Sequence, residues 1–535
     1  SFINTRVCEG CGDCSTKSNC VSVTPVETEF GRKRAIDQSS CNKDFSCQNG
    51  FCPSFVSVEG GRLRRGAAQE ADQERFARIP APALPPLDRP YSMVVAGIGG
   101  TGIITIGALL GMAAHLEGKG VSVLDMTGVA QKGGAVTTYV RIAARPQDLH
   151  TIRIAAGEAN AVIGSDILVT AENAILTRMQ RGITRAVVNT NRMATVAFIR
   201  NPDLRTPWDA MEDGLREVIG ADAVRFLDAT RLATALLGDA MSTNVFLLGY
   251  AYQSGLVPVS REALYRAIEL NGAAVEANRR AFEWGRLARH DPEGVERQAR
   301  PAGADVGSDR VIAQDLDAAI ARRVDYLTAY QDAALAQRYR VLVDRVRAAE
   351  SRVTGSAGTR FTEAVARNYA KLLAIKDEYE VARLYTDGEF ERQVATAFEG
   401  NYTLRYHFAP PLWVKPDPVT GAPVKRSYGR WMRHALGVLA RLKGLRGTWL
   451  DPFGHTGERR LERQLIADYE RTVAELERGL SAGNVALAAE VAAVPAAIRG
   501  YGHVKRKSID AAKAREAELM NAFRQPVAPA VPLAA

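Results

Sequence analysis

All seven cysteines of this 535-residue chain fall within its first 52 residues, at Cys8, Cys11, Cys14, Cys20, Cys41, Cys47 and Cys52. Thiols confined so tightly serve chemistry rather than packing. Cys8-x2-Cys11-x2-Cys14 sets three thiolates on one tight turn, the arrangement that wraps three corners of an iron–sulfur cube, and a fourth cysteine then comes from elsewhere in the chain. Disulfides fit poorly, because the count is odd, the spacings are short and nothing resembles an export signal. A structural zinc ribbon prefers two separated cysteine pairs around a tetrahedral ion, and three cysteines at this spacing are too crowded for it.

Cys52 is followed by Pro53, the distal Cys-Pro with which bacterial ferredoxins close a cluster, so the first site reads as Cys8, Cys11, Cys14 and Cys52. Cys41-x2-Asp44-x2-Cys47 keeps the same rhythm with an aspartate where the middle cysteine is expected. Cys20, Cys41 and Cys47 would then hold a second cluster. Asp44 is either a hard oxygen ligand on a labile iron or no ligand, which leaves a three-iron cluster or an empty site. Val21 to Val26 and Arg34 to Asp37 flank Phe30-Gly31 and read as a hairpin between the two halves.

The composition, 46% hydrophobic, supports several buried cores in a chain of two to four domains. The net charge of +9 is a small excess of 69 basic over 60 acidic residues, so it implies no nucleic-acid tail. An acidic protein partner or a phosphate-bearing cofactor suits it better. No run of 18 apolar residues occurs, and low-potential clusters suit a reducing compartment, so the expectation is a cytoplasmic protein without a membrane span. The sequence starts at Ser1 rather than Met, directly before the first ligands, and is expected to continue upstream.

Four stretches follow from composition and periodicity. Residues 1–60 read as a ferredoxin-like iron–sulfur domain, and residues 61–90, with Pro80, Pro82, Pro85, Pro86 and Pro90, as a semi-rigid linker. Residues 91–290 read as an α/β doubly wound, Rossmann-like domain, from strands at Met93–Ala96, Val121–Leu124, Thr137–Ile142, Ile167–Thr170, Ala186–Asn189 and Val224–Leu227. Residues 310–525 read as mainly helical, with apolar stripes such as Leu316, Ile320, Val324, Leu327 and Leu461, Leu465, Tyr469, Val473, Leu476. A Pro-rich insert interrupts them around Pro410 to Pro423.

The first strand of the α/β stretch runs into Gly97-Ile98-Gly99-Gly100-Thr101-Gly102 and a helix, the order that a phosphate-binding helix N-terminus requires. Gly97, Gly99, Gly100 and Gly102 are the candidate contacts, with Asp125 in the place of a ribose-binding acid; the competing reading is that these glycines only let helix and sheet pack closely. Gln131, Lys132, Gly133 and Gly134 form a second loop with a cation beside flexible amides. Both loops could face one site.

Taken together, Cys8 to Cys14, Asp37 to Cys47, Phe51-Cys52-Pro53, Gly97 to Gly102, Gln131 to Gly134 and Ile498-Arg499-Gly500-Tyr501-Gly502-His503-Val504-Lys505 resemble the fused indolepyruvate ferredoxin oxidoreductases, members of the thiamine-dependent 2-oxoacid:ferredoxin oxidoreductases. The resemblance covers essentially the whole chain. It implies that an aryl or branched 2-oxoacid is decarboxylated on thiamine diphosphate, oxidised and passed to coenzyme A as a thioester, with electrons leaving through one or two iron–sulfur clusters, 4Fe-4S and in one case 3Fe-4S, to ferredoxin. It makes residues 91–290 the gamma-type domain, which is not expected to bind nicotinamide, and it implies a homodimer. The Gly-Asp-Gly and downstream Asn that hold magnesium diphosphate are absent, and Asp387-Gly388 does not supply them. The thiamine machinery is therefore expected upstream or on a partner chain, and no catalytic residue is assigned.

Two other functions compete. One is an iron–sulfur oxidoreductase linked to NAD(P)H through a genuine dinucleotide site; the other is a non-catalytic electron-transfer subunit whose glycine loop is purely structural. Lys425, Arg426, Arg430, Arg433, Arg441, Lys443 and Arg446 could attract an acidic ferredoxin or coenzyme A, or form a solvated helical face. The seven histidines are dispersed, and there is no Gly-x-Ser-x-Gly elbow.

Overall fold

The computed structural model describes residues 1–64, 70–100, 102–128, 134–192, 196–299, 311–355, 358–410 and 424–525. They form two compact units: residues 1–37, 41–62 and 305–535 make one, and residues 38–40 and 63–304 the other. The cysteine segment and the helical stretch, read from sequence as separate domains, thus share a unit. No helix among the described residues is long and apolar enough to cross a membrane.

In the cysteine segment, short strands β1 (Phe2–Ile3), β2 (Val23–Val26), β3 (Lys33–Ile36) and β4 (Phe55–Glu59) surround a helix, α1 (Asp13–Ser18). β2 and β3 pair antiparallel as the expected hairpin, turning at Gly31 with φ +87°. A small core of Ile3, Val23, Ile36 and Phe55 closes around Cys8, Cys14 and Cys47.

The second unit is built on β5 (Tyr91–Ile98), β6 (Gly120–Thr127), β7 (Ala135–Ala143), β8 (Ala161–Gly164), β9 (Arg185–Asn189) and β10 (Val224–Leu227), in the order β10-β9-β8-β5-β7-β6. The first four strands in that order run parallel. β7 lies antiparallel to both β5 and β6, so the sheet is mixed rather than purely doubly wound. Alternation sorts the side chains to two cores. Met93, Val95, Ile163 and Val187 face one, with Ile103, Ile106 and Leu110 of α3 (Ile103–Leu116). Val94, Ala96, Val162 and Val188 face the other.

Two sequence readings are corrected here. Ile167–Thr170, expected as a strand, is a short helix, α4, because the Asp166 side chain caps it by accepting from the Val169 N–H at 2.9 Å. The true strand is β8, four fully buried residues whose continuous apolar run lacks a period. The expected linker also contains structure: Glu70–Ala77 forms helix α2, Phe76 meets Trp284 edge-on at 5.4 Å, and Ile79 is buried in the core.

The helical stretch buries the predicted stripes, with Ile320, Leu327, Leu465, Tyr469, Val473 and Leu476 in one core. It also holds strands that the sequence reading missed, among them β11 (Thr403–Phe408) and β12 (Arg426–Tyr428). β11 pairs with β4 through Leu404↔Val58 and Tyr406↔Val56, giving a four-stranded sheet β1-β4-β11-β12.

One crossing in the second unit tolerates no side chain. A Cβ on Gly285 would stand 1.9 Å from the Phe246 carbonyl oxygen, and one on Gly249 2.0 Å from that of Phe282. Gly285→Ala is expected to force the two helices apart, at about 1–3 kcal/mol. A lowered thermal midpoint, followed by fluorescence of the buried Trp284, checks this, and an unchanged midpoint would refute so close a crossing.

Candidate metal centre and glycine loop

All seven cysteines are free thiols; Cys8, Cys14 and Cys47 are buried and the other four partly so. Their electrostatics sorts them into two groups. Burial pushes the Cys11 thiol up to about 12, with Cys52 and Cys8 adding to it. Burial likewise raises Cys14, which also feels Cys52, Cys8 and Cys11, and raises Cys8, which feels Cys52. Cys47 is raised by burial and by Cys41 and Cys20. Cys52, Cys8 and Cys11 thus act on the buried thiols of the first turn, and Cys41 and Cys20 act on Cys47.

The loop geometry depends on glycine. Gly10 and Gly12 have φ of +69° and +81°, the left-handed region that side chains disfavour. A Cβ on Gly10 would lie 2.1 Å from the Arg32 carbonyl oxygen. The Gly10 N–H donates to Cys8 Sγ at 3.3 Å, and Gly12 leads into α1, which carries Cys14. On the distal side the Phe51 N–H donates to Asp13 Oδ2 at 2.6 Å, drawing the turn before Cys52 onto α1. Asp44 is exposed, and its Oδ1 accepts from the Ser46 N–H at 3.1 Å and the Ser46 hydroxyl at 2.9 Å.

The motif near residue 500 packs on the same loops. Tyr501 donates to the Val7 carbonyl at 2.6 Å, a Cβ on Gly500 would sit 3.4 Å from Cys11 Cβ, and His503 lies over Phe51 with ring centroids 4.9 Å apart. Glu9, next to Cys8, pairs with Lys376 at 2.9 Å. Burial would raise its carboxyl, but Lys376, Lys33, Lys371 and Lys505 together hold it well below the usual carboxylate range. Sequence reasoning missed Glu9, Lys376 and Tyr385. Only the motif around Tyr501 gave a signal.

In the second unit the two glycine loops do meet, since the Gly99 N–H donates to the Gly134 carbonyl at 2.8 Å. Gly100 and Gly102 have φ of +89° and +87°, and Gly102 precedes α3. Gln131, Lys132 and Gly133, with Thr101, lie outside the described residues. Beside Gly97 stands a carboxylate: Asp166 Oδ2 accepts from the Ile98 N–H at 2.5 Å. Asp125 is not where a ribose acid belongs. It accepts from the Thr138 hydroxyl at 2.5 Å, and β7 intervenes between its strand and β5.

Known proteins match these stretches. The pyruvate ferredoxin/flavodoxin oxidoreductase family matches residues 92–288, and a family of unknown function, DUF6537, matches residues 316–518. The indolepyruvate oxidoreductase subunit IorB of Pyrococcus horikoshii is 30% identical over 199 residues, covering 36% of this chain and 94% of that protein. Its counterpart from Methanothermobacter thermautotrophicus is 29% identical over 197 residues, 36% of this chain and 95% of that protein. Among solved structures, pyruvate oxidoreductase subunit PORC from Thermotoga maritima is 20% identical and covers 37% of this chain and 96% of its own, with a TM-score of 0.28. The chain belongs to the 2-oxoacid:ferredoxin oxidoreductase family. Residues 92–288 are its gamma-type portion, so the chain is an oxidoreductase component.

Burial pushes the Asp166 carboxyl up to about 6, against the pull of the Val169 and Ile98 N–H groups. With an unfolded value near 3.9, the folded protein holds this proton more tightly. The stabilisation is present below about pH 4 and lost as pH rises through about 6, a range worth about 3 kcal/mol at most. Asp166→Asn is expected to flatten the fall of the thermal midpoint between about pH 4 and 6. Equal slopes in both proteins would show that the carboxyl is not perturbed.

Proposed function

We propose that this chain carries electrons in a 2-oxoacid:ferredoxin oxidoreductase, from the oxidative decarboxylation of indolepyruvate or another aryl 2-oxoacid to acyl-CoA, onward to ferredoxin. The observation that carries the proposal is a turn of free thiols, Cys8, Cys11 and Cys14, shaped by the left-handed Gly10 and Gly12 and drawn against the turn before Cys52 by the Phe51 N–H donating to Asp13. Among the described residues no group of three or more His, Cys, Asp or Glu side chains is positioned to hold a metal ion, and the cluster reading rests on the cysteine spacing and the loop geometry.

On this reading Cys8, Cys11, Cys14 and Cys52 would hold a 4Fe-4S cluster. Cys20, Cys41 and Cys47 would hold a second, with Asp44 at its open corner or with three irons. Bound clusters supply one-electron storage. The chain's own part is to keep water from Cys8 and Cys14 by burial and to donate the Gly10 N–H to the Cys8 sulfur, which lowers the charge on that ligand. Thiamine diphosphate and magnesium would be held outside these residues, upstream or on a different partner chain, with coenzyme A as co-substrate and the glycine loops helping to complete that site; the assembly would also pair two copies of this chain. The names of the archaeal relatives support an indolepyruvate-class substrate. The position of Asp125 and the Asp166 carboxylate beside Gly97 disfavour the NAD(P)H-linked alternative.

Anaerobically purified protein is expected to hold about seven or eight irons with matching acid-labile sulfide. Cys11→Ser should remove one EPR signal of the dithionite-reduced protein, and Cys41→Ser the other. Asp44→Ala should change the second signal if the aspartate is a ligand and leave it if the site holds three irons. Zinc without sulfide would overturn the proposal.

A further inference from the structure

The matched region 316–518 has no assigned role, yet its side chains donate to the backbone carbonyls of the cysteine loops. Tyr501 holds Val7 at 2.6 Å, Tyr385 holds Pro53 at 2.8 Å, and Lys376 reaches the carbonyls of Arg6 and Cys8. Lys425 donates to Gln48 at 3.1 Å and also to Gly50. A buried carbonyl left unpaired costs about 1–3 kcal/mol, so each donor favours one course of the loop.

Lys425 has the most informative position. Gln48 and Gly50 lie between Cys47, of the second thiol group, and Cys52, of the first. A Cβ on Gly50 would be 2.8 Å from Cys14 Cα, so this turn is pressed against the first group's helix. The Lys425 ammonium also stands 5.2 Å from the Phe55 ring centroid, within the small core that the cysteines share. It is delivered there by the sheet, because it directly precedes β12, which pairs with β11 and through it with β4. Burial lowers the Lys425 ammonium from the usual lysine range, and the groups that pull it back up are Cys52, Cys14, Asp13 and Cys47. Both thiol groups are represented.

We propose that region 316–518 is a cluster-holding shell, and that Lys425 is a positioning residue whose fixed ammonium between the two thiol groups raises the reduction potential of the clusters they hold. The proposal rests on the cluster reading above. A cation close to a cluster favours the state that has gained an electron, and net charge and hydrogen bonding around the thiolates are the means by which a protein sets such potentials. The lysine undergoes no chemistry itself; the electron enters and leaves the cluster.

The test is an EPR-monitored redox titration of the anaerobically loaded full chain, with iron and sulfide counted in each variant. Lys425→Met and Lys425→Gln are expected to keep their iron and to shift the midpoints to more negative values. Lys443→Met removes the same charge from a lysine that donates to the Ala329 carbonyl, and it should leave the midpoints in place. Loss of iron in both Lys425 variants but not in Lys443→Met would overturn the tuning role, since no cluster would then remain whose potential the charge could set. Full iron with unchanged midpoints, or an equal shift in Lys443→Met, would overturn the proposal. A wild-type chain that takes up no iron would instead defeat the cluster reading beneath it.

Discussion

Several backbone carbonyls of the cysteine loops are met by side chains of the C-terminal region, and the segment itself contributes a core of only a few side chains around the thiols. Further stabilisation comes from the pairing of β4 with β11. Its rungs join residues about 350 positions apart, and Tyr406, fully buried, meets Tyr385 edge-on at 5.5 Å. Tyr385 in turn meets Phe390 at 4.8 Å, and Phe390 meets Phe2 at 6.1 Å. An aromatic cluster thus lies behind β1 and β4, and the loops it braces carry the cysteines. Contacts of such sequence separation form late, so the thiol groups are expected to take shape only after the C-terminal region has folded.

Much of this was legible in the sequence where a local rule applied. The hairpin at Gly31, the strands with β-branched alternation and the helical stripes around Leu327 and Tyr469 follow from period and turn chemistry. The rhythm of the cysteines suggests the two groups proposed above. What was hidden depended on partners distant in sequence. β11, Thr403–Phe408, alternates within a helical neighbourhood and has a reason to be a strand only once β4 is beside it. Ile167–Thr170 has strand-like residues, yet the single Asp166 cap turns it into a helix. Lys425 could be seen as one of a run of basic residues, but nothing local marks it as different from Lys443, which serves another carbonyl.

The second unit shows how a glycine signature can mislead. Strand, glycine loop and helix follow in the order of a dinucleotide fold, and the Gly99 N–H does meet the Gly134 carbonyl. The antiparallel β7 then enters between β5 and β6, and moves Asp125 one strand outward, where it bonds Thr138. The conformational demand for glycine is real at Gly100 and Gly102, with their left-handed φ. It reflects the shape of the loop and not the identity of a ligand.

The two thiol groups are interleaved in the chain, since Cys52 of the first follows Cys41 and Cys47 of the second. That order couples their geometry. Asp13 on α1 accepts from Phe51, Gly50 presses on Cys14, and the short 3-10 turn Ser46–Asn49 carries Cys47 immediately before both. A displacement of the turn would move a ligand of each group at once. Lys425 of the helical region reaches both the Gln48 and Gly50 carbonyls of this turn, joining the Cys52 N–H that also donates to Gly50. An ammonium does so with a charge that a neutral donor would lack, and a charge held near several thiolates acts on all of them together. The same contact that sets the loop's course therefore also sets its electrostatics, which is why holding and tuning fall to one residue.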